Sequence, residues 1–218
     1  MLNKSNETGR SMIEMLGVLA IIGVLSVGGI AGYSKAMMQY KINKTSDQVT
    51  QIIGNIRTLY GSQKSYGTSE MYCYSGDSGN MCNVLKKGHV IPDEMWNSDR
   101  TKFENAFGGD INISSADKRA RDSAPSNNDA MGIQLTGLPE EACMSLATYD
   151  WGSGSSSGVI AVGINYGSPH NISYNSAGEY DGSAIAKPNS SVSIPMPVSV
   201  AATACHEGED NTFTITFY

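Results

Sequence analysis

The chain has 218 residues and a formal net charge of −6 at pH 7. This acidic balance argues against a broadly basic surface for nucleic acid, so we predict no specific nucleic-acid partner. Only 17% of the residues are charged and 24 are glycines, which favours an extracellular domain rich in strands and turns. The length suffices for one membrane-embedded helix and one globular domain.

The first predicted element is an apolar helix that begins beside Glu14. From Met15 to Tyr33 the only ionisable group is the Tyr33 phenol, and a helix of this length, at ~1.5 Å per residue, just spans the ~30 Å hydrocarbon core of a bilayer. A carboxylate in hydrocarbon costs up to roughly 3 kcal/mol, so Glu14 needs a partner. Three interpretations stay open from this run alone: a cleaved secretory signal, a plain membrane anchor, or a retained segment that is processed before the run, at Gly9.

The helical pattern continues beyond the apolar run without a proline. Apolar residues recur at intervals of three, four and seven, which places them on one helical stripe: Met38, Ile42, Val49, Ile52, Ile53, Ile56, Leu59 and Tyr60. We therefore predict one helix of about fifty residues that ends near Gly61. Its first half is nearly free of charge, and its second half is amphipathic.

The rest of the chain reads as a mixture of strands and short helices. Residues 68–128 are predicted to be irregular, with a short anchored element at 103–107. Alternating or β-branched residues predict strands at 131–136, 159–166 and 212–218, and Pro139 followed by two acids predicts a short helix at 138–146. Residues 191–201 are strand-like but contain two prolines, which places them at an edge or in a loop. The predicted fold class is α+β.

Four cysteines in a chain with an export-type segment favour disulfides. Zinc is disfavoured because no C-x2-4-C spacing is present. Of the three possible pairings we favour Cys73 with Cys82, which enclose a loop rich in glycine and aspartate, and Cys143 with Cys205. Closing the longer of these loops stabilises a domain by roughly 4 kcal/mol in the chain-entropy model.

Two candidate sites for chemistry are weak. The run Gly154-Ser155-Ser156-Ser157-Gly158 matches G-x-S-x-G, with His170 nearby, but a nucleophile elbow needs a strand before it and a helix after it, whereas here a strand follows. Residues 206–211 cluster oxygen ligands that could hold calcium, yet they lack the alternation of an EF-hand loop. We predict no enzyme activity, no cofactor and no bound metal, and we expect His89 and His170 to lie on the surface.

The segment Gly9-Arg10-Ser11-Met12-Ile13-Glu14 with its apolar run resembles the class III signal of type IV prepilins. The resemblance implies that prepilin peptidase cuts between Gly9 and Arg10, that the new amine of Arg10 is a candidate for methylation, and that Glu14 meets this amine on a neighbouring subunit during assembly. Position 10 departs from the family, which usually has Phe or Met there. The Arg10 guanidinium either helps to neutralise Glu14 or extends to the headgroups.

The order of elements also resembles the type IV pilin fold. That fold has a long N-terminal helix, a variable loop, an antiparallel sheet and a disulfide-bonded C-terminal region. The large domain, the position of Cys143 on a short helix and Ala31 in place of a helix-kinking proline are similar to the IVb branch, which includes the toxin-coregulated and thin-pilus pilins. The nine-residue leader is short for that branch. The implied regions are a leader (1–9), a membrane and filament-core helix (10–33), an amphipathic helix (34–62) and an α+β head (63–218).

The resemblance implies a structural subunit of a type IV pilus with a role in adhesion, aggregation or DNA transfer. Its partners would be identical subunits, prepilin peptidase, the inner-membrane assembly machinery and, before assembly, the lipid bilayer. The precursor would lie in the inner membrane and the product in an extracellular fimbrium. Two alternatives stay open, a type II secretion pseudopilin and a solitary membrane-anchored binding domain.

Overall fold

The computed structural model describes residues 12–63, 66, 72–73, 80–98, 102–116, 130–152, 158–167, 184–187 and 191–218. The chain divides into two compact units, Met1–Tyr40 and Lys41–Tyr218. We call the second unit the head. Helix α1 (Met12–Tyr60) contributes residues to both units. Its 49 residues confirm the prediction of a single helix of about fifty residues, and its end before Gly61 is also as predicted.

The described residues of the head form one six-stranded antiparallel sheet. The strands are β1 (Tyr72–Cys73), β2 (Ile111–Ala116), β3 (Ala130–Leu138), β4 (Val159–Tyr166), β5 (Ala184–Ala186) and β6 (Asn211–Phe217). Their order in the sheet is β1-β2-β3-β6-β4-β5. The last strand in the sequence therefore lies between β3 and β4, in the middle of the sheet. The strands predicted from residues 131, 159 and 212 onward are confirmed as β3, β4 and β6.

One face of the sheet is apolar and forms the core of the head. Because side chains alternate between the two faces of a strand, each register row shares a face. The central apolar row is completely buried: Ile113, Ile133, Ile215 and Val162. The second half of α1 contributes its own buried side chains: Ile42, Val49, Ile52, Ile53, Ile56 and Tyr60. The Arg57 guanidinium lies 5.4 Å from the centre of the Phe217 ring, which places this part of α1 on the apolar face.

The opposite face of the same sheet is polar but also buried. Asn112, Gln134 and Thr214 form one register row across β2, β3 and β6, and none of them is more than 3% exposed. Asn112 Nδ2 donates a hydrogen bond to Gln134 Oε1 at 3.1 Å. Alternation in these strands therefore separates apolar from polar side chains, but it does not separate buried from exposed ones.

In the described part of the chain, three short helices contact the sheet: α2 (Asn80–Lys87), α3 (Glu140–Thr148) and α4 (Val198–Ala204). A 3-10 turn (Asp93–Met95) follows α2. The helix predicted at 138–146 is confirmed as α3, with Pro139 at its start and two glutamates in its first turn. Two disulfides tie these helices down. Cys143 of α3 is bonded to Cys205 just after α4, and Cys73 of β1 is bonded to Cys82 of α2.

Helix α2 ends in a Schellman motif. The Val90 amide donates to the Leu85 carbonyl at 3.0 Å and the His89 amide donates to the Lys86 carbonyl at 3.2 Å. The motif requires a left-handed residue, and His89 takes that place with φ of 49°. Leu85 and Val90 are fully buried, in keeping with the apolar pair that usually accompanies this motif.

Two predictions about the head were wrong. Residues 68–128 are not irregular throughout, since they include β1, α2 and β2. Residues 191–201 do not form a strand, because the segment after Pro197 is helix α4. Proline at the start of a helix loses no hydrogen bond, so Pro197 begins the helix rather than interrupting a strand. The element predicted at 103–107 is a turn anchored by Phe103, which is 2% exposed.

Candidate functional site

The first half of α1 is an apolar surface that the described residues leave exposed. Every side chain from Met12 to Ala36 is exposed. The large apolar side chains include Val24 at 76% and Leu25 at 69%. Among the described residues, α1 is the helix that is long and apolar enough to cross a membrane, and none of its most apolar window is buried. Such a surface requires lipid or other protein chains around it.

Glu14 and Lys35 mark the two ends of this surface. Both side chains are exposed, and within the described part of the chain neither has an ion-pair partner. Residues 15–34 between them carry no charge at neutral pH. The predicted cleavage site at Gly9 and Arg10 lies outside the described residues, so its geometry stays a prediction.

The cations in the second half of α1 are engaged within the head. The Lys41 ammonium lies 5.6 Å from the centre of the Phe107 ring, and Lys44 pairs with Glu94 at 3.8 Å. Both contacts combine helix residues with the segment between α2 and β2, so they help to hold that segment against the helix.

Arg57 anchors the end of the last strand to α1. Its Nε donates to the main-chain oxygen of Tyr218 at 3.2 Å. The Tyr218 amide in turn donates to the Gly158 carbonyl at 2.9 Å, next to the start of β4. Gly158 has φ of 70°, and a Cβ there would come within 2.5 Å of Arg57 Nη2, so this close approach requires glycine.

The turn before β2 is organised by a single buried amide. Asn105 Oδ1 accepts from the amides of Phe107 (2.8 Å) and Gly109 (3.3 Å), and Asn105 Nδ2 donates to the Thr136 carbonyl at 2.9 Å. A Cβ on Gly109 would overlap the Thr136 carbonyl oxygen. This turn fixes the position of Phe107 beneath Lys41.

The Cys143–Cys205 disulfide closes a compact C-terminal region. The Met196 amide donates to the Ala147 carbonyl at 3.2 Å, which ties the segment before α4 to α3. Trp151 donates its indole N–H to the Leu146 carbonyl at 2.8 Å, and its ring centre lies 5.6 Å from that of Phe213 in β6. The disulfide therefore joins helices that also contact the sheet.

Residues 206–211, considered above as a calcium loop, form a turn that Asn211 holds together. Its Oδ1 accepts from the His206 amide at 2.8 Å, and its Nδ2 lies 2.8 Å from the His206 carbonyl and 3.1 Å from the Leu138 carbonyl. The Asn211 oxygen is thus committed to the backbone. Throughout the described stretches, no group of three His, Cys, Asp or Glu side chains is arranged to hold a metal.

The other candidates for chemistry gain no support. Of the G-x-S-x-G match, residues 154–157 lie outside the described residues, as does His170. Gly158 is described and leads directly into strand β4, the reverse of the order that a nucleophile elbow needs. His89 is exposed, in agreement with the expectation of a surface residue.

Comparison with known proteins identifies the family. The family described as PilS N terminal matches residues 39–218. The major structural subunit of the bundle-forming pilus of Escherichia coli O111:H- is 30% identical over 219 residues, covering 100% of this chain and 96% of that protein. The subunit of the same name from Escherichia coli O127:H6, strain E2348/69, is 29% identical with the same coverage. The chain belongs to the PilS pilin family.

The pilin also shares its fold with a solved structure. TcpA, a type IV pilin from the Vibrio cholerae El Tor biotype, superposes with a TM-score of 0.51 at 16% identity, covering 82% of this chain and 99% of TcpA. The type IV pilin fold expected from the sequence is thereby confirmed. The disulfide between Cys143 and Cys205 in the C-terminal region belongs to that fold.

The charges and the cysteines could be recognised in the sequence. The side-chain contacts with the backbone that hold the head together could not. Three side chains donate a hydrogen bond to a main-chain oxygen far away in the sequence: Arg57, Asn105 and Asn211. Because the partner is a main-chain atom, no pattern of residue types reveals the contact. One signal was available: Asn is common where a side chain must satisfy nearby backbone groups in a turn, and both asparagines lie in such turns.

Proposed function

We propose that this pilin is the structural subunit of a IVb-like type IV pilus. The observation that carries the proposal is the unpartnered apolar surface of residues 12–36 on a chain whose full-length relatives are named as major subunits of a bundle-forming pilus. A helix that is exposed all round is stable only in lipid or among other helices. A filament core built from copies of α1 provides those neighbours.

The proposed maturation begins with cleavage by prepilin peptidase between Gly9 and Arg10. Residues 1–9 are then the leader, 10–33 the membrane and filament-core helix, 34–62 the amphipathic helix and 63–218 the globular α+β domain. The cleaved subunit waits in the inner membrane by its apolar helix. The inner-membrane assembly machinery then transfers it into an extracellular fimbrium. The Arg10 amine that the cleavage creates is the proposed candidate for methylation.

During assembly, neighbouring helices replace the lipid around the first half of α1. Because lipid tails are as apolar as leucine, helix packing and the pairing of polar groups supply most of the difference in free energy. The glycines of the first half, such as Gly23 and Gly28, leave open space around them and allow close approach of a neighbour. Glu14 is neutralised by the amine of Arg10 on an adjacent copy, since an unpaired carboxylate in an apolar bundle is costly.

Among the three roles expected for such a filament, we favour aggregation over adhesion and DNA transfer. The two relatives form part of a pilus whose name is bundle-forming, which points to lateral association of filaments. No observation on the described surface favours catalysis, and we propose no enzyme activity.

The first test is to shear filaments from the cell surface and determine the N-terminal sequence and intact mass of the subunit. The expected chain starts at Arg10 and is four hydrogens lighter than the reduced form, because two disulfides are present. An uncleaved chain that stays in the membrane pellet would favour the solitary anchored domain instead.

The second test is Glu14→Ala, with Glu207→Ala in the exposed turn of the head as the matched control. We expect the Glu14 variant to be cleaved and inserted normally but to give few filaments, whereas the control assembles normally. A normal filament yield from Glu14→Ala would contradict the pairing with the Arg10 amine.

A further inference from the structure

The first half of α1 carries two opposite charges that form no ion pair with any described residue. Glu14 lies just before the uncharged residues 15–34. Lys35 lies just after them, 21 residues beyond Glu14. Both lie in the unit that ends at Tyr40, both are exposed, and neither is paired among the residues that the structure describes. Each therefore has its ion-pairing capacity available for another molecule.

Lys35 differs in this respect from the other described cations of α1. Lys41 lies over the Phe107 ring, Lys44 pairs with Glu94, and Arg57 binds the main-chain oxygen of Tyr218. Those three are committed to contacts within the head. Lys35 is the described α1 cation that the fold leaves for a neighbour.

We propose that Glu14 of one copy pairs with Lys35 of a second, parallel copy displaced along the helix axis. The displacement follows from the 21-residue separation and is about 31 Å at 1.5 Å per residue. The proposal rests on the proposed function, because it needs a filament of α1 helices. It specifies the axial displacement between neighbouring α1 helices. It also gives Glu14 a second cationic partner besides the Arg10 amine.

The cost of desolvation selects this register. At intermediate displacements, Glu14 would lie against the uncharged residues 15–34 of its neighbour, where a carboxylate is expensive. At about 31 Å it meets an ammonium group instead. A carboxylate has two oxygens, so pairing with Lys35 of one neighbour is compatible with pairing to the Arg10 amine of another.

Asp47, the other described acid of α1, has no comparable need for a partner chain. It is exposed and lies among polar side chains such as Asn43 and Thr50, so water can continue to solvate its charge. The free energy gained by pairing is therefore larger for Glu14 than for Asp47.

The proposed contact propagates a filament. Each copy offers Glu14 to one neighbour and Lys35 to a different one, so the interface is heterologous and does not close on itself. At 100° per residue, the two side chains point about 60° apart around the helix. One copy can therefore hold both neighbours at once, one displaced in each direction.

The register is tested by cross-linking in sheared filaments of the full chain. Met15→Cys with Ala36→Cys keeps the 21-residue separation and leaves Glu14 and Lys35 in place. The matched control is Met15→Cys with Gly29→Cys. Gly29 lies seven residues before Ala36 on the same side of the helix, which corresponds to a displacement of about 21 Å. The native cysteines are held in disulfides, so they do not compete.

We expect oxidation of the Met15–Ala36 pair to give a ladder of covalent multimers on a non-reducing gel, because each copy links to two others. The Met15–Gly29 pair should remain mostly monomeric. A ladder from the Gly29 pair instead, or a ladder from neither pair, would overturn the register.

The charge is tested separately by substitutions at Lys35, with filament yield normalised to the processed subunit in the membrane. Lys35→Arg should retain the yield, and Lys35→Glu should lower it by at least about tenfold. Lys87→Glu, on the exposed end of α2, is the control and should assemble normally. Normal assembly of Lys35→Glu would overturn the pairing while leaving the filament intact. If the wild-type chain forms no filaments, the proposed function fails instead.

Discussion

The two halves of α1 use apolar side chains in opposite ways. In the first half, Val24 and Leu25 are among the most exposed of the large apolar side chains that the structure describes. In the second half, Ile52 and Ile56 are completely buried within the head. Both stretches are regular helix and both are rich in aliphatic residues, so the difference lies in what surrounds them.

The comparison shows how one continuous helix can serve two environments. The apolar stripe of the second half packs within the head, and the polar residues of that half face water or other parts of the head. The first half carries apolar residues all round, and its side chains from Met12 to Ala36 are exposed in the described structure. A helix that is apolar on every side indicates an intermolecular role, whereas an apolar stripe indicates an intramolecular one.

The largest expected effect is on the stability of the head, the unit in which the second half of α1 is buried. Cys143→Ser with Cys205→Ser opens a loop of 62 residues, which should cost about 4 kcal/mol of stability in the chain-entropy model. The full-length variant should become sensitive to protease after export. Cys73→Ser with Cys82→Ser, which opens a loop of 9 residues, should cost about 2.5 kcal/mol. A double variant at Cys143 and Cys205 that assembles and resists protease would refute this ranking.

A second prediction compares the two halves directly. Ile56 is fully buried, so Ile56→Ala leaves a cavity in the core. It should cost about 3 kcal/mol of head stability. Leu25→Ala should leave head stability unchanged, because Leu25 lies outside the head and its side chain is 69% exposed. Urea unfolding of the full chain in detergent, followed by the fluorescence of buried Trp151, measures both. Equal losses in the two variants would contradict the comparison.

A third, smaller effect should follow from Arg57→Ala. The variant loses the hydrogen bond to the Tyr218 main-chain oxygen and the contact with the Phe217 ring. Since Arg57 is only partly buried, we expect a loss of about 1–2 kcal/mol in the same unfolding assay. Thr58→Ala, on the exposed side of the same turn, is the control. A loss no greater than that of the control would show that the last strand does not need this anchor.

The smallest expected effect is an increase in the stability of the head. His89 has φ of 49° at the end of α2, a conformation that glycine adopts without the steric cost of a Cβ. His89→Gly should therefore stabilise the head by up to about 1 kcal/mol. His89→Ala keeps the Cβ and should give no gain. A destabilised glycine variant would mean that the imidazole makes a contact worth more than the backbone strain.

The long helix and the main strands could be predicted from the sequence because their patterns are strong. The uncharged run after Glu14 and the stripe from Ile42 to Tyr60 extend over many turns. The strands β4 and β6 carry clear alternation or β-branched residues. Glu14 and the cysteines could also be recognised, since a charge beside an apolar run and paired cysteines are visible without a structure.

The missed elements have weak or misleading local patterns. Val198-Ser199-Val200 alternates like a strand, yet Pro197 starts a helix whose buried residues, Ala201 and Ala204, are spaced three apart. In β2, the alternation of Ile111 and Ile113 is too short to stand out from its polar surroundings. The Asn112–Gln134–Thr214 row looks like a solvent-facing surface in the sequence, and only the tertiary structure shows that it is buried.

The position of β6 has a consequence for export. Until residues 211–217 arrive, β3 and β4 have no strand between them and the sheet remains two separate pieces. A head that threads through a translocation pore from its N-terminal side therefore cannot complete its sheet while the pore still holds the last strand. This strand order therefore postpones the completed sheet to the compartment where the cysteines can oxidise.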